Sequence, residues 1–176
     1  MVSDSRLAPE IAERDHVRGR AGAPMRLLIY GDYECPYTRM ALISVAQVRR
    51  ELGDDFTYAF RNFPLTEIHP HAMNAALAAE AAELQGRFWE MHDLLFRSQH
   101  ALADGDLAAH AREVGLHEAR FRADFADRKG LPRIEADVAS GVRNGVEGTP
   151  TLFINGKPHL EDYNPETLIK ALREAT

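Results

Sequence analysis

An α/β domain is the fold class that this sequence predicts, on three observations. An apolar run from Met25 to Tyr30 reads as a buried strand and hands over to an amphipathic helix from Tyr37 to Leu52. A second strand at Phe56 to Arg61 is followed by a helical block from about Pro70 to Asn144. Strand pattern then returns at Thr151 to Ile154, turns at Asn155-Gly156 and continues at Lys157 to His159. At 176 residues, with 45% apolar and 27% charged content, the chain suits one globular domain with a sizeable core.

Residues 1–22 are polar and end near Gly19, Gly22 and Pro24, which predicts a loose lead-in ahead of a domain over 23–176. In the first helix Ala41, Val45, Val48 and Leu52 recur at spacings of four and three, giving one buried stripe, and Gly53 stops it. Phe63-Pro64 ends the second strand, because proline cannot donate to a ladder. The helical block is broken at Gly86, Asp104-Gly105-Asp106, Gly115 and Gly130. Its Ala-rich stretch His71 to Gln85 allows close helix packing, Leu107, Ala111 and Val114 mark a second buried face, and Ile134, Val138 and Val142 line a last helix after Pro132. Asn164 and Pro165 open the closing helix as cap and first position.

The chain holds a single cysteine, Cys35, in the run Tyr30-Gly31-Asp32-Tyr33-Glu34-Cys35-Pro36-Tyr37-Thr38, where strand gives way to helix. Unpaired amides and the positive end of the helix dipole favour thiolate at such a place. An ordinary thiol with a pKa near 8.5 is only about 3% ionised at pH 7, and roughly 3.4 kcal/mol of preferential stabilisation would make it mostly thiolate. Pro36 suits the first helical position; the amides of Tyr37 and Thr38 and the Thr38 hydroxyl are the expected donors to the sulfur. The competing reading of a lone cysteine is a small buried hydrophobe.

The segment Gly31 to Thr38 resembles the active-site turn of the DsbA-like branch of the thioredoxin superfamily, whose motif is usually Cys-Pro-Tyr-Cys. Gly145-Val146-Glu147-Gly148-Thr149-Pro150-Thr151-Leu152-Phe153-Ile154-Asn155-Gly156 resembles the second signature of that family, and Phe60 to Leu65, His69 to Ala72 and Gly86 to His92 also match. The resemblance implies a thioredoxin-like fold with a mixed central sheet and a helical insertion over about 66–147. It implies a catalytic turn at Cys35, Pro36, Tyr37 and Thr38, and a substrate-binding pair at Thr149 and Pro150, with a cis bond between them lying against the Cys35 sulfur. One departure governs the chemistry: Thr38 stands where the family has its second cysteine. Passing on an internal disulfide, or resolving a mixed one internally, needs two thiols.

The expected activity is therefore monothiol exchange, in which an external thiol releases the mixed disulfide. A redox-inactive peptide-binding module and a small-thiol transferase or thiol peroxidase are the alternatives. No resident cofactor is expected, with glutathione or another low-molecular-weight thiol as candidate co-substrate; the expected partners are protein or small-molecule thiols and disulfides. A formal charge of -6 argues against nucleic acid and anionic membrane as partners. The polar N-terminus and the lone thiol predict a cytoplasmic protein, monomeric or a weak homodimer. His69 and His71 lack further ligands at metal spacing, so no metal is expected. Phe88, Trp89 and Met91 have core spacing; Glu80, Glu83 and Glu90 read as a solvated face, and Glu34 as solvent-facing.

Overall fold

The computed structural model describes residues 10–176. Its strands are β1 (His16–Gly19), β2 (Met25–Gly31), β3 (Phe56–Asn62), β4 (Thr151–Ile154) and β5 (Lys157–His159), in spatial order β1-β3-β2-β4-β5. Leu27, Leu28, Ile29 and Tyr30 are all buried, as a strand covered on both faces requires. β2 pairs parallel with β3 and antiparallel with β4, so the sheet is mixed. The parallel pair needs a crossover, and α1 (Pro36–Leu52) supplies it, burying Ala41, Val45, Val48 and Leu52.

Between β3 and β4 run α2 (Ala72–Glu83), α3 (Phe88–Arg97), α4 (Asp104–Glu113), α5 (Glu118–Ala126) and α6 (Leu131–Arg143); α7 (Pro165–Glu174) closes the chain. Alternation along the central strands divides the core. Leu27, Ile29, Phe56, Tyr58 and Phe60 pack with α1, α2, α3 and α7, whereas Leu28, Tyr30, Ala59, Phe63 and Phe153 lie on the opposite side with Val138 of α6. The buried face of α6 is Ile134, Asp137, Ser140 and Gly141, and Val142 is 63% exposed. The predicted apolar line Ile134-Val138-Val142 is thus displaced toward small and polar residues. Gly141 explains why: a β-carbon there would sit 2.7 Å from the Phe63 ring, so the helix approaches the sheet over a residue that has none.

The lead-in expected over 1–22 also needs correction. Residues 1–9 lie outside the described residues, but β1 pairs antiparallel with β3, His16 opposite Phe60, so the domain begins ahead of residue 23. Apolar pattern does not reveal this strand because polar groups hold it. Arg61 donates to both carboxylate oxygens of Asp15, at 2.9 and 2.7 Å, with both side chains fully buried. His16 Nε2 lies 2.9 Å from Glu80 Oε1 and its ring stacks on Phe88. Glu80 is accordingly buried and also accepts from Asn62 Nδ2 at 2.7 Å, where a solvated acidic face was expected; Glu83 and Glu90 are about half exposed, as 48% and 47%.

Candidate functional site

The parallel β2–β3 pair ends at Gly31 and Asn62, and the turn that follows β2 carries the cysteine. Gly31 must be glycine: a β-carbon would lie 2.5 Å from the Phe60 ring and 2.7 Å from the Thr38 methyl. Cys35 occupies the N-cap of α1 with extended backbone, Pro36 follows at the first helical position, and Tyr37 is 60% exposed. Cys35 is 3% exposed, and its sulfur donates to the carbonyl oxygen of Thr149 at 3.4 Å. The Thr149–Pro150 bond is cis. Two segments 114 residues apart thereby meet at one atom.

The cap differs from the three-donor arrangement expected from the sequence. No amide of α1 bonds the sulfur, and the fully buried Thr38 hydroxyl instead accepts from the Asp32 amide at 3.4 Å. Its methyl packs under Gly31, which turns the hydroxyl toward the loop backbone rather than toward Cys35. Thr38 thus braces the turn. Gln99 adds a second brace, donating from Nε2 to the carbonyls of Tyr33 and Cys35 at 2.8 and 3.0 Å.

Asp32 is the residue that sequence reasoning missed. Its buried carboxylate accepts from the Glu34 amide at 2.7 Å, an Asx turn, and from the Leu65 amide and His69 Nδ1, both at 2.8 Å. An aspartate at a strand end two residues before a non-helical amide was the available signal. Glu34, expected to face solvent, accepts from the His71 amide at 2.7 Å and so holds the entry to α2. His69 and His71 therefore serve the loop; among the described residues no cluster of three His, Cys, Asp or Glu could hold a metal ion.

Deeper in, the Tyr33 hydroxyl meets His92 Nδ1 at 3.0 Å, and burial keeps both neutral, raising the phenol well above its ordinary value and lowering the imidazole well below its own. Phe88 and Met91 are core; Trp89 is half-buried under the Arg18 guanidinium. Tyr163, not anticipated, borders the site: its hydroxyl is shifted upward by burial and by the negative charge that Cys35 and Tyr37 bring near it. Thr149 Oγ1 is buried with no hydrogen-bond partner among the described residues, while Thr151 Oγ1 donates to the Gly148 carbonyl at 2.7 Å.

A thioredoxin fold with a five-helix insertion and a cysteine at the start of its first helix defines the class. A thioredoxin family model matches residues 12–174, and the chain belongs to that family. Its fold is that of the DsbA-like thiol-disulfide oxidoreductases. It is similar to oxidised BdbD from Bacillus subtilis, with a TM-score of 0.82 and 19% identity over 92% of both chains. A thioredoxin-like oxidoreductase from Silicibacter pomeroyi gives a TM-score of 0.82 and 23% identity over 93% of both. In sequence the chain is 47% identical, over 172 residues and 96% of its length, to a protein of Salinispora arenicola named Na(+)/H(+) antiporter NhaA 1. It spans only about a quarter, 26%, of that relative.

Proposed function

We propose that the chain is a monothiol oxidoreductase that exchanges disulfides through Cys35. The carrying observation is the Cys35 sulfur at the cap of α1, 3.4 Å from the Thr149 carbonyl, with threonine at position 38. In the first step the deprotonated sulfur attacks one sulfur of a substrate disulfide. A Cys35–substrate disulfide forms and the other substrate sulfur leaves as thiolate. With no internal second thiol, a thiolate from outside, supplied by glutathione or another small thiol, then attacks the substrate-side sulfur; a disulfide forms between those two sulfurs and Cys35 leaves as thiolate. The substrate approaches across the exposed Tyr37 and replaces the contact that Thr149 makes with the sulfur. Pro36 and Thr38 keep the cap in place. A lone free thiol of this kind suits a reducing cytoplasm, and the cycle needs only a monomer.

Binding of a peptide without redox chemistry is the second reading, favoured by Tyr37, Met40 and Ile43, which are 60%, 53% and 50% exposed along one side of α1. Among the described residues no helix is long and apolar enough to cross a membrane. The test is reduction of a glutathionylated peptide by excess glutathione with catalytic protein. Wild type should accelerate release and accumulate a Cys35 mixed disulfide by intact mass, and Cys35→Ser should do neither. An active Cys35→Ser protein would reject the exchange mechanism. A protein that binds the peptide without any mixed disulfide would establish the second reading.

A further inference from the structure

A cleft of about 340 Å³ lies between α1 and α3, floored by β1 and β3. That volume is within the roughly 300–1,000 Å³ of small-molecule sites. Its middle is apolar, formed by Leu42, Ile43, Ala46 and Phe96, and four arginines line it against one carboxylate, Asp93. Such a concentration of positive charge is notable in a chain whose formal charge is -6. Only Arg18 is neutralised, through Asp93 at 2.6 and 3.0 Å. Arg39, Arg49 and Arg97 have no carboxylate partner among the described residues.

The arginines fall at two ends. Gln99, just beyond Arg97, bonds the Cys35 carbonyl, so the end of α3 lies beside the start of α1 and sets Arg97 near Arg39. At the other end Arg49 lies over the Tyr58 ring, 6.0 Å from its centroid, and Arg18 over Trp89. From Arg39 to Arg49 the helix rises about 15 Å. An independent polar group completes the lining. His92, 1% exposed, also lines the cleft, with its Nδ1 engaged by Tyr33.

We propose that this cleft is a binding site for an elongated organic dianion, with an acidic group at each end of an apolar body. Arg39 and Arg97 take one acidic group, Arg49 takes the other, and the apolar body lies on Leu42, Ile43, Ala46 and Phe96. Arginine suits this task because its planar fork pairs with carboxylate or phosphate bidentately. The site stands whether or not Cys35 exchanges disulfides.

The chain contains one tryptophan, Trp89, and its contact with Arg18 makes its fluorescence a direct reporter. Decanedioate is the probe and decanoate its single-acid control, titrated at low salt because exposed charges are screened otherwise. Expected is a saturable change with decanedioate and at least about tenfold weaker binding of decanoate, the worth of one charge-assisted pair. Arg39→Gln with Arg97→Gln should weaken decanedioate by at least about tenfold. Ile43→Glu, which sets a carboxylate in the apolar middle, should do the same, and Arg50→Gln, outside the cleft, should change nothing. Urea midpoints of all variants verify folding. Absence of saturation, equal affinity for the two acids, or cleft variants within about twofold of wild type would each overturn the assignment.

Discussion

The Asp32 carboxylate and the His69 ring, 2.8 Å apart, join the loop that carries Cys35 to the segment leading into the helical insertion. The same carboxylate also holds the Glu34 and Leu65 amides. Asp32→Ala leaves buried donors without an acceptor and is expected to cost about 3 kcal/mol. Urea unfolding measures that loss. Faster proteolysis within 32–36 than in wild type, under native conditions, would show that the loop itself has loosened.

Thr38→Cys is expected to give an internal disulfide with Cys35. Residues three apart across a first helical turn have α-carbons about 5 Å apart, within the span of a disulfide. The substitution also removes the bond to the Asp32 amide, at about 1 kcal/mol. Loss of two hydrogens by intact mass, reversed by reductant, is the check. Dithiol activity on a reduced, unfolded substrate should rise with it.

Arg61→Met should destabilise the protein by about 3–5 kcal/mol at neutral pH, because it strands the buried Asp15 carboxylate. Burial alone would raise the Asp15 pKa, but the hydrogen bonds and charge of Arg61 outweigh it and hold the group below 3.8. A carboxylate lowered on folding contributes its stability above 3.8 and loses it as pH falls through the folded value. The cost of Arg61→Met should therefore shrink in acid. Urea titrations at neutral pH and below 3.8 measure the difference.

His92 adds a second acid-sensitive step. Burial, then the charge of Arg18, lowers its pKa well below 6.5, so the unfolded chain binds a proton that the folded one refuses. Stability falls as pH drops below 6.5, by up to about 1.4 kcal/mol per pH unit. His92→Phe should flatten that slope, although it leaves the Tyr33 hydroxyl unpaired. Unfolding free energies across the interval, wild type against variant, decide it.

Gly31→Ala should cost about 1–3 kcal/mol, since its β-carbon would push on Phe60 and on the Thr38 methyl. Thermal unfolding measures the cost. A loosened Thr38 brace should show as altered Cys35 alkylation kinetics.

Much of this architecture follows from periodic apolar pattern: the stripe of α1, the continuous burial of β2 and the Ala-rich α2. Wherever polar groups do the holding, that pattern is silent. β1 has one apolar side chain, Val17, and is secured by Asp15 to Arg61 and His16 to Glu80, partners 46 and 64 residues away. Cys35 was conspicuous as the single thiol at a strand–helix junction. Asp32 and Tyr163 were not, because one works through backbone amides supplied by a distant loop and the other reaches the site from beyond β5. Thr38 stands out in the sequence for what it replaces. Its hydroxyl's partner depends on how closely Gly31 lets the strand approach.

The polar anchoring of β1 sets a limit on how the protein can be shortened. Arg18 grips Asp93 of the insertion while Asp15 and His16 grip the sheet and α2, so the strand works as a strap across both layers. Trimming to residue 23, where the apolar pattern begins, would leave Arg61 buried without its counter-ion and Glu80 without its His16 partner. Any engineered fusion or minimised version must keep Asp15, and a tag is best joined ahead of it.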